Sequence, residues 1–325
     1  MSAEFELIKK HFTRPIHHTD VGIGDDAALI SVSLGHQLAI STDMSVVGTH
    51  FFEDANPFNI GWKSLAVNVS DMAAMGANPK WATLSIALPS ANEDWIEAFS
   101  KGFFACASQF NVDLIGGDTT RGSLNINVSI MGETPISKAI LRDGAMPEDD
   151  IWVSGQLGTA ALGLYFLQKK LFLADEVRIA CLSALYKPEP RVSLGLALRG
   201  IAHSCIDISD GLLADFNHIL IASRLKGNSS NQLGATLNLE EIPCLPLIKN
   251  KMELPLFQQA LLTGGDDYEL CFTASPSKKV AILQLAKTLK LNITQIGKMN
   301  DSAKLDVLFQ NKAISFNQLG YDHFA

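Results

Sequence analysis

Ser64 to Ala77, SLAVNVSDMAAMGA, is an apolar run of helical length that carries a single ionisable residue, Asp71. A carboxylate set among Leu65, Val67, Val69, Met72 and Met75 is costly to desolvate unless a cation or several donors meet it. Two readings follow: an Asp on the wet stripe of an ordinary core helix, or a buried ligand. Either way the stretch reads as a helix that ends at Gly76.

The other acids favour the ligand. Asp25 and Asp26 lie in GIGDDA, Asp43 in STD, Asp118 in GGDTT, Asp207 and Asp210 in DISDG, and Asp266 and Asp267 in GGDDYE. Carboxylates spread along the chain beside Gly, Ser and Thr are what a site needs to gather several hard divalent cations, and Mg²⁺ takes such oxygen ligands while keeping water. Two carboxylates about 4 Å apart repel by roughly 4 kcal/mol at an effective dielectric of 20, so the cluster is half built without its ions.

With 325 residues there is room for two domains with separate cores. A net charge of −8 argues against nucleic acid or an anionic membrane as partner, because each calls for a basic patch. Small substrates remain. Cys106, Cys181, Cys205, Cys244 and Cys271 are odd in number, far apart and without a C-x-x-C pair, and read as reduced core residues. The N-terminus alternates acids and bases, and no apolar run approaches the ~20 residues that span a bilayer. The expectation is a soluble, cytoplasmic protein.

In chain order, residues 1–12 read as an amphipathic helix, and Gly22-Ile-Gly24-Asp25-Asp26-Ala27 matches a dinucleotide fingerprint only on paper, since neither flank fits. Its glycines are expected to turn the backbone and aim Asp25 and Asp26 inward, with ALISV following as a strand. Leu38–Thr42 reads as a strand ending in Ser41-Thr42-Asp43, either a polar turn or a ligand-bearing strand end. His50 lies in a Gly-flanked loop. Asn56-Pro57 is a helix start, and Trp95, Phe99, Phe103 and Cys106 form the core stripe of a second helix.

Val112–Ile115 reads as a strand that breaks at Gly116-Gly117-Asp118-Thr119-Thr120-Arg121, a turn whose amides, carboxylate and guanidinium suit a polyphosphate and its metal. The polar stretch Ser137–Asp150, with Arg142 in LRDG, marks the domain boundary. Beyond it, a strand releases Asp207-Ile208-Ser209-Asp210-Gly211 into a helix from Leu212, where a phosphate or metal would feel the helix dipole. Gly227–Gly234 is the most loop-like part of the chain.

Walker A, protein-kinase and serine-hydrolase signatures are all absent. What remains is an acid-rich site in which Mg²⁺ ions, a few Arg residues and backbone amides grip a nucleotide. Phosphoryl transfer needs little beyond in-line positioning and neutralisation of spreading charge.

GIGDDA, STD, NVSDMAAMGA, GGDTTRG, KPEPR, IDISDG, GGDDYELCFT and the final GYDHF together resemble the thiamine-monophosphate kinases of the aminoimidazole ribonucleotide synthetase and selenophosphate synthetase superfamily, from end to end. The resemblance implies ATP-dependent phosphorylation of thiamine monophosphate to thiamine diphosphate by direct transfer with several Mg²⁺ ions and no phosphoenzyme. It implies an α/β (α+β) fold with two domains. Residues 1–137 would bind ATP and Mg²⁺ and form a barrel across a homodimer; residues 148–325 would form a second α/β domain, with the site between the two. By motif, Asp25, Ser41, Thr42, Asp43, Asp71, Asp118, Asp207 and Asp210 look like metal ligands, and Asp43, Asp71, Asp118 and Asp210 like the catalytic acids. Gly117, Asp118, Arg142 and Ser209 look like nucleotide contacts, and His50, Asp266 and Tyr321 like substrate contacts.

The family pattern reads GGEDYE where this chain has Asp266, so a contact from Asp266 to substrate is expected to be longer or to pass through water. Three rivals stand: a sister enzyme with another small substrate, a metal-dependent phosphohydrolase, and a non-catalytic nucleotide sensor. Substrate-dependent ADP release separates the sister enzyme, the hydrolase should release inorganic phosphate without an acceptor, and the sensor should bind ATP and Mg²⁺ yet turn over nothing.

Overall fold

The structure, a computed structural model, describes residues 3–226, 232–316 and 319–321. The chain divides into two compact units, one of residues 1–72 and 77–137, the other of 73–76 and 138–325.

The first unit holds helix α1 (Ala3–His11), strand β1 (His36–Val46), helix α2 (Pro57–Ala74), strand β2 (Asn78–Leu88), helix α3 (Glu93–Phe110) and strands β3 (Asp113–Arg121) and β4 (Asn125–Pro135). The sheet runs β1-β4-β2-β3, antiparallel except for the parallel β2–β3 pair. Asn56 starts α2 by accepting the Phe58 N–H at 2.9 Å, with Pro57 at the first helical position. Asn92 caps α3 in the same way through the Trp95 N–H at 3.1 Å. The two helices cross backbone to backbone: a Cβ on Gly61 would sit 2.1 Å from the Phe99 carbonyl oxygen, and one on Gly102 would sit 1.8 Å from that of Phe58. Leu65, Val69 and Met72 of α2 are buried, as are Phe99 and Phe103 of α3 and Leu84, Ile86, Ile126, Val128 and Ile130 of the sheet. The other face of the sheet is open, exposing Ile40, Thr42 and Met44 on β1.

Three local expectations need correction. ALISV is no strand; a single bridge joins Leu29 to Val21, and Asp25 and Asp26 are exposed instead of pointing inward. Ser41-Thr42-Asp43 lies in the middle of β1, which continues to Val46. GGDTTR is part of β3 and not a turn, because its glycine serves a different purpose. Gly117 has φ +149°, and a Cβ there would lie 1.7 Å from the Leu84 carbonyl oxygen, beside the register shift at Ala82/Thr83. Gly117 permits close strand approach around a bulge, whereas a Cβ on Gly116 would meet only open space.

The second unit contains strands β5 (Asp150–Ser154), β6 (Ser204–Asp207), β7 (Gly234–Asn238), β8 (Leu270–Ala274), β9 (Ile293–Asn300), β10 (Leu305–Phe309) and β11 (Lys312–Ile314). Its helices are α4 (Thr159–Leu167), α5 (Asp175–Tyr186), α6 (Val192–Ala197), α7 (Leu212–Lys226), α8 (Pro246–Lys249), α9 (Pro255–Leu262) and α10 (Lys279–Leu289). The mixed sheet has the order β11-β10-β7-β9-β5-β8-β6. Both faces are covered, which explains why IWV and LCF are continuous apolar runs with no alternation. Ile151, Val153, Ile206 and Cys271 pack with Leu212, Phe216 and Leu220 of α7 and Phe257 and Leu261 of α9. Trp152 and Phe272 stack at 6.4 Å on the opposite face with Leu194 and Ile282. β7 escaped the sequence reading, being short and rich in small and polar residues. Of the Asn/Ser-rich stretch before it, 227–231 lies outside the described residues.

Candidate functional site

In the first unit, α2 presents Asp71 half-buried against β1, where the Ser41 hydroxyl donates to its Oδ2 at 2.5 Å. The pleat puts Asp43, two residues on, on the same face as Ser41. It sends Thr42 to the other face, where its hydroxyl donates to the Val128 carbonyl at 3.1 Å and lies 3.0 Å from that of Ser129. Three consecutive oxygen-bearing residues therefore do not serve one point. His50 accepts the Val46 N–H on Nδ1 at 3.0 Å, so a neutral ring carries its proton on Nε2. Asp118 is exposed on edge strand β3 and accepts the Thr119 N–H at 2.9 Å; Asp25 does the same for Asp26 at 2.8 Å. Among the described residues, no three acidic, histidine or cysteine side chains form a ready-made metal cage.

In the second unit, three motifs distant in sequence are joined through their backbones. β6 ends at buried Asp207 and releases Ile208-Ser209-Asp210-Gly211. The Ile208 N–H donates to the Glu269 carbonyl, the Tyr268 N–H to the Ile208 carbonyl and the Asp266 N–H to the Ser209 carbonyl, each at 2.8 Å. The Tyr321 N–H reaches the Asp210 carbonyl at 3.1 Å. Gly265 and Gly320 make these approaches possible: a Cβ would sit 2.3 Å from the Ser209 carbonyl oxygen in one case and 2.7 Å from that of Asp210 in the other. Ser209, Asp210, Asp266 and Tyr321 are thus gathered in one place. Asp322, His323 and Phe324 of the terminal motif lie outside the described residues. Arg142 is exposed on a single 3-10 turn, Arg142–Gly144, whose carbonyl accepts the Ser223 hydroxyl at 3.2 Å.

The acids of GGDDYE have three different fates. Asp266 and Tyr268 adopt left-handed backbone, φ +69° and +49°, which costs strain in residues with a Cβ. The turn that imposes this shape leaves Asp266 half-buried. Asp267 accepts the Gly158 N–H at 2.8 Å at the start of α4, and burial, the largest influence, pushes its carboxyl well above the usual range. Glu269 is buried on Arg191 and Ser154, at 2.7 and 2.5 Å from the guanidinium nitrogens and 2.5 Å from the hydroxyl. Desolvation lowers the Arg191 pKa and Glu269 more than restores it.

Sequence reasoning passed over Asp215, in the first turn of α7. It is 3% exposed, and its Oδ2 accepts the N–H groups of Ser209, Asp210 and Gly211 at 2.9, 3.0 and 3.1 Å. Burial and then Asp210 push its carboxyl up to about 7 against the pull of those three donors. The amides of Ser209, Asp210 and Gly211, just before α7, therefore hold the chain's own carboxylate and are not open to a phosphate. The signal that identifies Asp215 is an acid set among Leu212, Leu213 and Phe216.

Two α/β units, the first an open sheet under crossed helices and the second a covered mixed sheet with acid-bearing turns, define the class. Residues 24–134 match the family model described as AIR synthase related protein, N-terminal domain. The chain is 43% identical to the thiamine-monophosphate kinase of Buchnera aphidicola subsp. Acyrthosiphon pisum, over 99% of this chain and 98% of that one. Among solved structures it resembles thiamine-monophosphate kinase from Stenotrophomonas maltophilia K279a, with TM-score 0.83, 41% identity and coverage of 95% and 96% of the two chains. It also resembles AaThiL complexed with AMPPCP and TMP, with TM-score 0.76, 29% identity and coverage of 98% and 96%. The chain belongs to the thiamine-monophosphate kinase family. No helix among the described residues is long and apolar enough to cross a membrane.

Proposed function

We propose that this protein transfers the terminal phosphoryl group of ATP directly to thiamine monophosphate. A phosphate oxygen of the acceptor attacks the γ-phosphorus in line, the bond to the β–γ bridging oxygen breaks, and thiamine diphosphate and ADP leave. The observation that carries this reading is the likeness over nearly the whole chain to thiamine-monophosphate kinases, one of them complexed with AMPPCP, a non-hydrolysable ATP analogue, and TMP.

Several Mg²⁺ ions fit the chemistry of the donors, which are hydroxyl and carboxylate oxygens, with Ser41 and Asp71 already 2.5 Å apart. Asp25, Ser41, Asp43, Asp71, Asp118, Asp207 and Asp210 would hold them; Thr42, on the other face of β1, is dropped as a side-chain ligand. Bound Mg²⁺ supplies neutralisation of the polyphosphate charge and polarisation of the γ-phosphorus. Asp43, Asp71, Asp118 and Asp210 act as the catalytic acids by fixing that charge pattern. Gly117 lets the β3 backbone approach closely, and Asp118, Arg142 and Ser209 contact the nucleotide, Ser209 through its side chain because its amide is taken by Asp215. His50, Asp266 and Tyr321 hold thiamine monophosphate, with half-exposed Tyr321 offering its ring to an aromatic or cationic group.

A homodimer joins the open faces of two first-unit sheets into a barrel, domain 1–137 being the dimerising, ATP- and Mg²⁺-binding part and 148–325 the second. What supports this is the uncovered face bearing Ile40 and Met44, 66% and 53% exposed. The five free cysteines, four of them buried, suit a reducing cytoplasm. The test is a coupled assay of ADP release: it should require thiamine monophosphate and Mg²⁺ together. Release of ADP at the same rate without the acceptor would overturn the proposal.

A further inference from the structure

Asp215 sits where a bound anion would otherwise sit. Three consecutive N–H groups, of Ser209, Asp210 and Gly211, converge on its Oδ2, and the side chain is almost fully buried. Consecutive amides pointing to one centre form a concavity suited to an anion, and here the anion is supplied from one turn further along α7. The loop shaped by this carboxylate exports two carbonyls. That of Ser209 accepts the Asp266 N–H, and that of Asp210 accepts the Tyr321 N–H. Asp266 is held at φ +69°, a conformation it keeps only where the surroundings impose it. Gly211, at φ +120°, packs so closely on the Thr263 backbone that a Cβ would lie 2.8 Å from its carbonyl carbon, so the loop has little room to re-form in another shape.

We infer that Asp215 is a positioning residue for the phosphoryl transfer: by gathering the amides of Ser209–Gly211 it sets the loop that presents Asp210 and, through two backbone carbonyls, seats Asp266 and Tyr321. The inference rests on the proposed function, and it adds a residue that touches neither substrate nor cation. It acts at three points together. Loss of the carboxylate releases three buried N–H groups, the loop relaxes, and both the Asp210 side and the Asp266/Tyr321 side lose their fixed spacing. A 1 Å misplacement at a reacting centre can cost on the order of 10²-fold in rate. A side chain that served stability alone would lower the folded fraction and leave the constants of the remaining molecules unchanged.

The test compares wild type with Asp215→Asn and Asp215→Ala. Wild-type turnover of ATP and thiamine monophosphate is measured first, and its failure would fall on the proposed function, not on this inference. Each variant is then titrated with Mg²⁺ and thiamine monophosphate, and its thermal midpoint is followed with and without MgCl₂ and AMPPCP. Asp215→Asn keeps an oxygen for the three amides but as a weaker, uncharged acceptor, so it should fold, hold the loop less firmly and retain only part of the activity. In Asp215→Ala, kcat should fall by about 10², the KM for thiamine monophosphate should rise several-fold, and the thermal upshift produced by MgCl₂ and AMPPCP should shrink. If Asp215→Ala does not fold, Asp215→Asn alone must show a raised Mg²⁺ requirement and a raised KM. Either variant, folded, with wild-type KM, Mg²⁺ dependence and ligand upshift would overturn the inference.

Discussion

Arg191→Met isolates the buried ion pair that ties the KPEPR turn to GGDDYE. Arg191 grips both oxygens of Glu269, at 2.7 and 2.5 Å, and the side chains are 22% and 6% exposed. Ser154 donates to the same carboxylate, and Gly155 leaves it room, since a Cβ there would lie 1.8 Å from Glu269 Oε1. Removing the guanidinium strands a carboxylate with one hydroxyl partner in a site built for a charge pair. Breaking a buried pair from one side costs about 3–5 kcal/mol. For a unit of this size each kcal/mol lowers the midpoint by about 2–4 °C, so a drop of about 6–20 °C is expected by scanning calorimetry. Pairing Arg191→Met with Glu269→Leu should restore more than half of that loss, because neither charge is then left alone. A single-variant loss under about 1 kcal/mol, or a double variant whose loss equals the sum of the two singles, would refute this account.

Other perturbations act on different physics. Asp71→Asn should lower kcat by about 10²–10³ while shifting the midpoint by no more than a few degrees, since it removes charge from a half-buried site without removing volume; steady-state kinetics beside a melting curve reads both. Asp267→Asn should cost under about 1 kcal/mol in urea unfolding and Asp267→Ala about 1–3, because the raised pKa favours the neutral acid and only Ala strands the Gly158 N–H. Burial raises the Glu133 pKa, but Lys80 and Ser33 outweigh it and hold the carboxyl below its ordinary 4.5. Its stabilisation is therefore full above about pH 4.5 and lost as pH falls through the depressed folded value. Glu133→Gln should flatten the acid limb of stability against pH. Gly117→Ala should disturb the β2–β3 pairing, given the 1.7 Å approach to Leu84, and hydrogen exchange of β3 amides should rise while that of β8 stays unchanged.

The start of α2 was legible because its chemistry is local: Asn56-Pro57 does what its side chain and ring dictate. Gly116-Gly117 was not, because a glycine needed for strand approach looks the same in sequence as one needed for a turn, and only the position of Leu84 separates them. Ser41-Thr42-Asp43 was misplaced for a related reason. Hydroxyl side chains suit both a strand and a turn, and whether the strand goes on is decided by its pairing with β4 from Val46 to His36. Within GGDDYE, the sequence marked Asp266 and Asp267 and singled out Asp266 by resemblance alone, while the parts played by Asp267 and Glu269 were not legible. The division of roles depends on the start of α4 for Asp267, on Arg191 for Glu269 and on the Ser209 carbonyl for Asp266. Asp215 was hidden by its helical spacing, which also fits an ordinary first-turn acid.

Direct transfer from ATP to thiamine monophosphate is visible in ³¹P NMR of the protein with ATP, Mg²⁺ and thiamine monophosphate, compared with mixtures that omit each in turn. The resonances of thiamine diphosphate and ADP should grow in equal amounts and only when all three are present. Inorganic phosphate appearing with ADP, at a rate indifferent to thiamine monophosphate, would contradict it.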